Sequence, residues 1–372
     1  MRIGIMLQSI RHFGGIGVYT QQIVDKILEK DRENEYVLLY PSFSQAKTVM
    51  GRYEHHENVT EVLSKSLVPH NLYWDHFVVP REARKHQIDM IFNPFLSVPL
   101  FGKFSKVFVI HGFEWFTMPE VFWFTARYTG RFRITALMKA ADIVISVSQY
   151  AADVAVDSTG IPREKFRIVH NAAGAEFRPI NDSASLKSVQ EKYGLPDDFI
   201  LFVGGIYPSK NFGGLLQAFR SAAQQIPHTL LVAGKTRWKS EDDMQLVQEY
   251  GLEDRVRFMG WIGHEDLPAI YNLAACFAIP SFHESCSVAL LEALSCGCPV
   301  IASTAGGNPE TAGDAAVFID PHDLEAIEEA LVEVASSQEL RRELSRKGLL
   351  RSKAFSWDKS AEDTLAVFSE LA

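Results

Sequence analysis

Cys276-Phe-Ala-Ile-Pro-Ser-Phe-His-Glu-Ser-Cys-Ser-Val-Ala-Leu-Leu-Glu-Ala-Leu-Ser-Cys-Gly-Cys-Pro-Val-Ile-Ala-Ser303 reads as strand, polar turn, helix and strand in a single run. Cys276–Pro280 and Pro299–Ser303 are short apolar stretches of strand length. Between them Val288-Ala-Leu-Leu-Glu-Ala-Leu294 is apolar on nearly every side, the mark of a buried helix. Strands joined by such helices lie parallel in a sheet covered on both faces. The stretch also carries two acids. Glu292 sits in the apolar run, and a buried carboxylate must find a partner or lose its charge. Glu284 precedes it by eight residues. Were both on one helix, the rise would separate them by roughly 12 Å. Paired carboxylates of glycoside hydrolysis stand only about 5 to 9.5 Å apart. The longer span suits an elongated ligand with hydroxyls at both ends, such as a nucleotide-sugar with its diphosphate in the middle.

The same strand–helix alternation runs outward in both directions. Strands are expected at Arg2–Leu7, Glu35–Pro41, Asp89–Asn93, Lys106–His111, Asp142–Ser148 and Phe166–His170. A second set is expected at Phe199–Gly204, Thr229–Gly234, Arg255–Gly260, Cys276–Pro280, Pro299–Ser303 and Ala315–Asp320. Two sets predict two doubly wound α/β domains. The boundary is placed in Asn171-Ala-Ala-Gly-Ala-Glu-Phe-Arg-Pro-Ile-Asn-Asp-Ser183, which has no clear period, giving domains 1–178 and 179–356. Phe355-Ser-Trp-Asp-Lys-Ser-Ala-Glu-Asp-Thr-Leu-Ala-Val-Phe368 reads as an amphipathic closing helix. Ligands of such folds bind beyond the carboxyl ends of the strands, so a cleft between the domains is the expected site.

Composition narrows the function. With 47% apolar and 22% charged residues in 372, the chain is an ordinary globular one of about two domains. Its apolar runs are too short to span a bilayer, and Met1-Arg-Ile-Gly-Ile-Met-Leu7 reads as a first strand and not a signal peptide, so a cytoplasmic location is expected. The net charge of −9 divides into about +3 for residues 1–180 and about −12 for 181–372, which argues against nucleic-acid binding. Cys276, Cys286, Cys296 and Cys298 form no C-x-x-C pair and read as small buried hydrophobes, with no zinc site.

Unusual residues follow strand after strand. Gly14-Gly-Ile-Gly17 opens a helix whose N–H groups could approach phosphate, although glycines often only make a turn. The second strand ends Val37-Leu-Leu-Tyr-Pro-Ser42 with no acid for a ribose, which disfavours a nicotinamide enzyme. His111 ends a strand and can bind sugar or simply pack. In Phe202-Val-Gly-Gly-Ile-Tyr-Pro-Ser-Lys-Asn-Phe212, Lys210 is a candidate diphosphate counter-ion, the alternative being a surface lysine. Ala233-Gly-Lys235, Met259-Gly-Trp-Ile262 and Thr304-Ala-Gly-Gly-Asn-Pro-Glu310 could line a base pocket and phosphate cradle through backbone groups.

Together the glutamate pair, the Val-Gly…Lys-Asn turn, His111 and the late Phe-Ser-Trp resemble the retaining glycosyltransferases of family 4, which have the two-domain GT-B fold. The likeness runs nearly end to end and is closest to the bacterial-type branch of polysaccharide mannosyltransferases. It implies an N-terminal acceptor domain on which residues 357–372 pack back, and a C-terminal nucleotide-sugar domain. Carried over by position, Glu284 contacts donor-sugar hydroxyls, and the amides of Ser285, Cys286, Ser287 and Val288 approach sugar and phosphate. Glu292 holds the ribose, Lys210 pairs with the diphosphate, and His111 lies against the transferred sugar. Gly15 and Gly17 sit beside the phosphates. Gly204, Gly205, Gly234, Lys235, Trp261 and Ile262 complete the donor-binding set. No cofactor or metal is expected, because cationic side chains and helix N-termini take over the charge.

Two positions depart from the family pattern. Gly205 and Ser209 stand where an arginine is common, so one diphosphate cation is missing, and Arg11, Lys235 or Arg237 are the substitutes to consider. Ser285-Cys-Ser287 replaces a common Gly-Phe-Gly. The resemblance implies transfer of a hexose, with mannose from GDP-mannose favoured, to a glycan or lipid-linked saccharide. An epimerase or hydrolase of the same fold and a non-catalytic sugar-nucleotide-binding subunit are the rivals. Finally, Val121–Ala141 holds Arg127, Arg131, Arg133 and Lys139 with several aromatics and no acid. That composition suits an acceptor or peripheral membrane face, or else a core helix with a solvated basic side.

Overall fold

Parallel strands cannot be joined by tight turns, so each strand here is followed by a crossover segment, in most cases helical, that covers the sheet. The computed structural model describes residues 1–11, 14–234 and 241–372. Its chain forms two units, Met1–Asn171 together with Trp357–Ala372, and Ala172–Ser356.

The first unit contains β1 (Arg2–Met6), β2 (Glu35–Pro41), β3 (Val59–Ser64), β4 (Met90–Asn93), β5 (Ser105–Ile110), β6 (Ile143–Ser146) and β7 (Phe166–Ile168). They lie in the order β3-β2-β1-β4-β5-β6-β7, every pair parallel. The second unit contains β8 (Phe199–Val203), β9 (Thr229–Ala233), β10 (Val256–Gly260), β11 (Cys276–Ile279), β12 (Val300–Ser303) and β13 (Ala316–Ile319), in the order β10-β9-β8-β11-β12-β13, again all parallel. The strand order reverses between β1 and β4 in one sheet and between β8 and β11 in the other, the Rossmann arrangement whose switch points receive ligands.

All twelve expected strands are present, with ends shifted by a residue or two. The thirteenth, β3, escaped the sequence reading because Val59-Thr-Glu-Val-Leu-Ser64 is a half-exposed edge strand without a continuous apolar run. The boundary also moves. The first unit ends at Asn171 and not at residue 178, because Phe177 packs with Leu195, Phe199, Leu201 and Tyr271 in the second core. Asn272 then ties the following backbone by donating to the Arg178 carbonyl and accepting from the Ile180 N–H.

The last helix, Trp357–Ser369, packs in the first unit. Its Trp357, Ala361, Val367 and Phe368 are buried, Phe368 edge-on to Phe92 of β4 at 5.1 Å. Ser360 Oγ donates to the His170 carbonyl, and Lys30 of the helix Gly15–Lys30 pairs with Asp358 and Glu362. Those ion pairs are surface pairs of small net worth, so the apolar contacts carry the attachment.

The helix Phe124–Ala140 is neither a plain core helix nor one with a bare basic side. Ile134, Leu137 and Met138 in its second half are buried, whereas Phe124, Tyr128 and Phe132 in its first half are exposed. Arg127 lies partly buried with its guanidinium over Tyr128, and Arg131 lies over Phe116 at 4.6 Å; Arg133 is exposed.

Truncating Phe368 to alanine removes a fully buried ring, a change costing about 3–5 kcal/mol. Hydrogen exchange should accelerate across residues 1–171 and stay unchanged across 172–356; equal acceleration in both would refute the assignment of this helix to the first unit.

Candidate active site

In the second unit the special residues gather at the carboxyl end of the sheet, around the switch between β8 and β11. Beyond β8, Gly204 has φ +144° and its N–H donates to the Ala233 carbonyl. Beyond β9, Gly234 has φ +154°, and a Cβ there would stand 1.9 Å from the Gly204 carbonyl oxygen. Glycine is required at 234 because two strand ends touch through their backbones. After Gly204 the chain passes through the single turn Pro208–Lys210 to Asn211, a left-handed residue at φ +52°, before the helix Phe212–Ala222. Asn211 holds that conformation by donating its side-chain amide to the carbonyls of Pro280 and Pro321.

This turn delivers Lys210 to Glu284. Lys210 Nζ donates to Glu284 Oε1 at 2.5 Å, and Ser281 Oγ donates to the same oxygen at 2.8 Å. The lysine and glutamate side chains are only 16% and 10% exposed, so each needs the other's charge. The backbone of Glu284 is held as well. Its carbonyl accepts the Gly307 N–H at 2.7 Å, and a Cβ on Gly306 would meet that carbonyl at 2.2 Å. The Thr304–Glu310 turn thus spends part of its backbone on Glu284. A buried chain continues the support, with Asn308 donating to Ser303 Oγ and Ser303 donating to the Ser281 carbonyl.

Glu284 does not lie on the helix that carries Glu292. The helix is Val288–Cys296, capped by Ser287, whose Oγ accepts the Leu290 N–H. The helical-rise argument for a 12 Å separation therefore does not apply; Glu284 belongs to the loop after β11. Ser285, Cys286 and Ser287 are buried in that loop and lead into the helix N-terminus at Val288. Glu292 is 5% exposed, one turn inside the helix, and Tyr271 Oη stands 3.2 Å from both its Oε2 and the Ala289 carbonyl. Tyr271 and Ser281 are the partners that sequence reasoning missed. Ser281 was visible as a polar residue beside Glu284, whereas nothing local marks a tyrosine twenty-one positions from Glu292.

Ile262 is buried in the core with Leu267 and Ile270, while Trp261 beside it is 53% exposed. Gly205 follows Gly204 in the turn after β8, and Ser209 is buried, its carbonyl accepting the Phe282 N–H. Lys235 and Arg237 lie outside the described residues. All four cysteines are free thiols and buried, and no group of three or more His, Cys, Asp and Glu among the described residues is placed to hold a metal ion.

In the first unit, the helix Gly15–Lys30 begins after Gly14 at φ +87°, and the Gly17 N–H donates to the Gly14 carbonyl. Arg11 is exposed in the turn after β1. His111 follows β5, donates Nε2–H to the Pro94 carbonyl at 2.7 Å, and meets the Tyr19 ring edge-on at 4.6 Å. Tyr19 in turn packs edge-on to Trp357 of the last helix. Burial pushes the His111 pKa down to about 4, so at neutral pH the ring is uncharged and its Nδ1 is an acceptor.

Comparison with known proteins matches the family Glycosyltransferase Family 4 over residues 13–176 and the family Glycosyl transferases group 1 over residues 187–351. The chain belongs to the family 4 glycosyltransferases. This glycosyltransferase is 28% identical over 275 residues to O-antigen chain mannosyltransferase B of Escherichia coli, covering 71% of this chain and 70% of that one. It is 32% identical over 241 residues to the serotype-specific mannosyltransferase WbdA of Escherichia coli, covering 63% of this chain but only 30% of that protein's length. Anabaena HepE, solved in complex with UDP and glucose, superposes with a TM-score of 0.77 at 18% identity over the whole of both chains, which establishes the GT-B fold.

Burial raises the Glu292 pKa of this glycosyltransferase to about 8; the Tyr271 hydrogen bond opposes the rise and the Glu176 carboxylate adds to it. The Tyr271 phenol has one proton for two acceptors, Glu292 Oε2 and the Ala289 carbonyl, so it offsets only part of the cost of burying a charge there. An unfolded glutamate titrates near 4.3. Between these values the folded state holds a proton that the unfolded state lacks. Stability from this group is therefore greatest below the unfolded pKa and falls as pH rises towards 8. Glu292→Gln should remove that fall. The variant should melt like the parent at pH 4.5 and be more stable at pH 8 by on the order of 2–4 kcal/mol; equal melting at pH 8 would show that the carboxyl is not buried in this way.

Proposed function

We propose that the chain is a retaining hexosyltransferase that takes its sugar from a nucleoside diphosphate and builds a polysaccharide or glycolipid. The observation that carries this reading is the Lys210–Glu284–Ser281 cluster at the carboxyl end of a Rossmann sheet. A cation for a diphosphate and an oriented carboxylate for sugar hydroxyls stand within one hydrogen bond of each other. Mannose, and with it GDP-mannose, is favoured by the likeness to two mannosyltransferases. The acceptor is a saccharide or lipid-linked saccharide.

In the proposed reaction an acceptor hydroxyl attacks the anomeric carbon from the face that the diphosphate leaves. The new carbon–oxygen bond forms as the bond to diphosphate breaks. The bonding pair departs with the phosphate oxygen, which takes the hydroxyl proton. The protein supplies positioning and charge stabilisation and no dedicated base. Lys210 faces the developing phosphate charge, Glu284 holds sugar hydroxyls, neutral His111 accepts from a sugar hydroxyl through Nδ1, and Glu292 holds the ribose. No metal is required in this scheme.

The ion pair sharpens what substitution should do. Glu284→Gln removes the negative charge beside Lys210, so nucleoside diphosphate should bind as tightly or more tightly while transfer slows by at least about 100-fold. Glu292→Ala should weaken nucleotide binding by about 10-fold through the lost hydrogen bonds to ribose. Lys210→Ala should lose both binding and transfer. Calorimetry with GDP and UDP, alongside mass spectrometry of donor turnover with and without saccharide acceptors, checks all three. Nucleotide binding lost in Glu284→Gln but kept in Glu292→Ala would reverse the orientation. Binding without turnover on any acceptor would favour a sugar-nucleotide-binding subunit.

A further inference from the structure

Of the thirteen exposed large apolar side chains among the described residues, eleven lie between Leu63 and Phe132, all in the first unit. The densest group is the N-terminal half of the helix Phe124–Ala140. Phe124, Tyr128 and Phe132 recur every four residues and are 75%, 54% and 79% exposed, with Trp123 immediately before them at 74%. Positions i, i+4 and i+8 form a stripe along one side of a helix, here roughly 12 Å long. The Phe124 and Tyr128 rings touch, with centroids 4.9 Å apart. This stripe is not a core surface that happens to be thin. The core contacts of the same helix are made from its other half, by Ile134, Leu137 and Met138.

The helix that bears the stripe carries charge of one sign, although Asp75 stands near enough to Arg133 to interact with it. Residues 121–141 contain four cations and no acid, in a chain whose net charge is −9. Arg133 and Lys139 are exposed, while Arg127 and Arg131 are turned onto the aromatic rings of Tyr128 and Phe116. Exposed aromatics beside exposed cations match the two layers of a lipid surface, where rings settle among headgroups and acyl ends and cations meet anionic phosphates. No helix among the described residues is long and apolar enough to cross a membrane, so the contact would be one of lying on the surface.

We propose that the Trp123–Phe132 face of the first unit docks on an anionic lipid surface, with the aromatic stripe as the adhesive element and Arg133 and Lys139 as its electrostatic flank. The proposal stands apart from the transferase reading, because lipid binding needs neither donor nor acceptor.

Flotation with vesicles of phosphatidylcholine containing phosphatidylglycerol, compared with phosphatidylcholine alone, tests it at low and high salt. The parent should float with the anionic vesicles and be only partly released by salt. The triple variant F124S/Y128S/F132S should lose binding at least tenfold at both salt levels while keeping the parent's melting temperature. The double variant R133E/K139E should lose only the salt-sensitive part. If the triple variant folds poorly, Trp123 gives a second readout: vesicles should blue-shift the emission of the parent, and Trp123→Phe should abolish that shift. Failure to float on anionic vesicles at low salt, or equal flotation of a well-folded triple variant, would overturn the proposal. So would light scattering that found a dimer made monomeric by the triple substitution, since the stripe would then belong to a second copy.

Discussion

A carboxylate leaving water must be given a cation or enough donors to replace its hydration. Glu284 receives Lys210, Ser281 Oγ and a backbone clamp from Gly306 and Gly307. Much of the local architecture at the end of β11 serves this one need. Lys210 reaches the acid because Asn211 adopts a left-handed conformation and is tied to two carbonyls. Ser281 is set by Ser303, which Asn308 holds in turn. The strand ends close enough to frame the site because Gly204 and Gly234 present backbone to backbone. Lys210 and Glu284 thus neutralise one another in a place with little access to water.

The fold was legible because parallel sheets need buried strands, and buried strands announce themselves as short continuous apolar runs. Ile3, Ile5, Val107, Phe108, Leu230 and Leu231 are all fully buried strand residues of that kind. The edge strand β3 was not legible, since its half-exposed positions admit polar residues. At the site, types and places were legible where a charge stood in apolar surroundings, as with Glu292, or next to glycines, as with Lys210. What sequence could not convey was pairing across distance. Tyr271 meets Glu292 only because the helices before and after β11 pack together, and Lys210 bonds to Glu284 over seventy-four positions only because β8 and β11 are neighbours in the sheet. The assumption of one helix through both glutamates failed at Ser287, an N-cap serine whose preference for helix starts was available in the sequence.

His111 and Glu292 illustrate opposite uses of burial. Loss of water keeps the histidine neutral by lowering its pKa and keeps the glutamate protonated by raising its own. Each becomes a polar group of low charge in a low-dielectric place, held in direction by one neighbour: the Pro94 carbonyl for His111, the Tyr271 phenol for Glu292. The same packing links His111 to the far end of the chain, because Tyr19 stands between it and Trp357.

That link bears on how the protein is made. The second unit is one uninterrupted segment, whereas Trp357–Ala372, which packs in the first unit, follows it in the sequence and is synthesised after it. Domains generally fold as units, N-terminal first, during synthesis. Here the first unit depends on a segment made after the second, since Phe92 and Tyr19 find their partners Phe368 and Trp357 only there. The aromatic support behind His111 is therefore built from both sides of the second unit in the sequence, and a chain cut before Trp357 would leave Tyr19 without that ring.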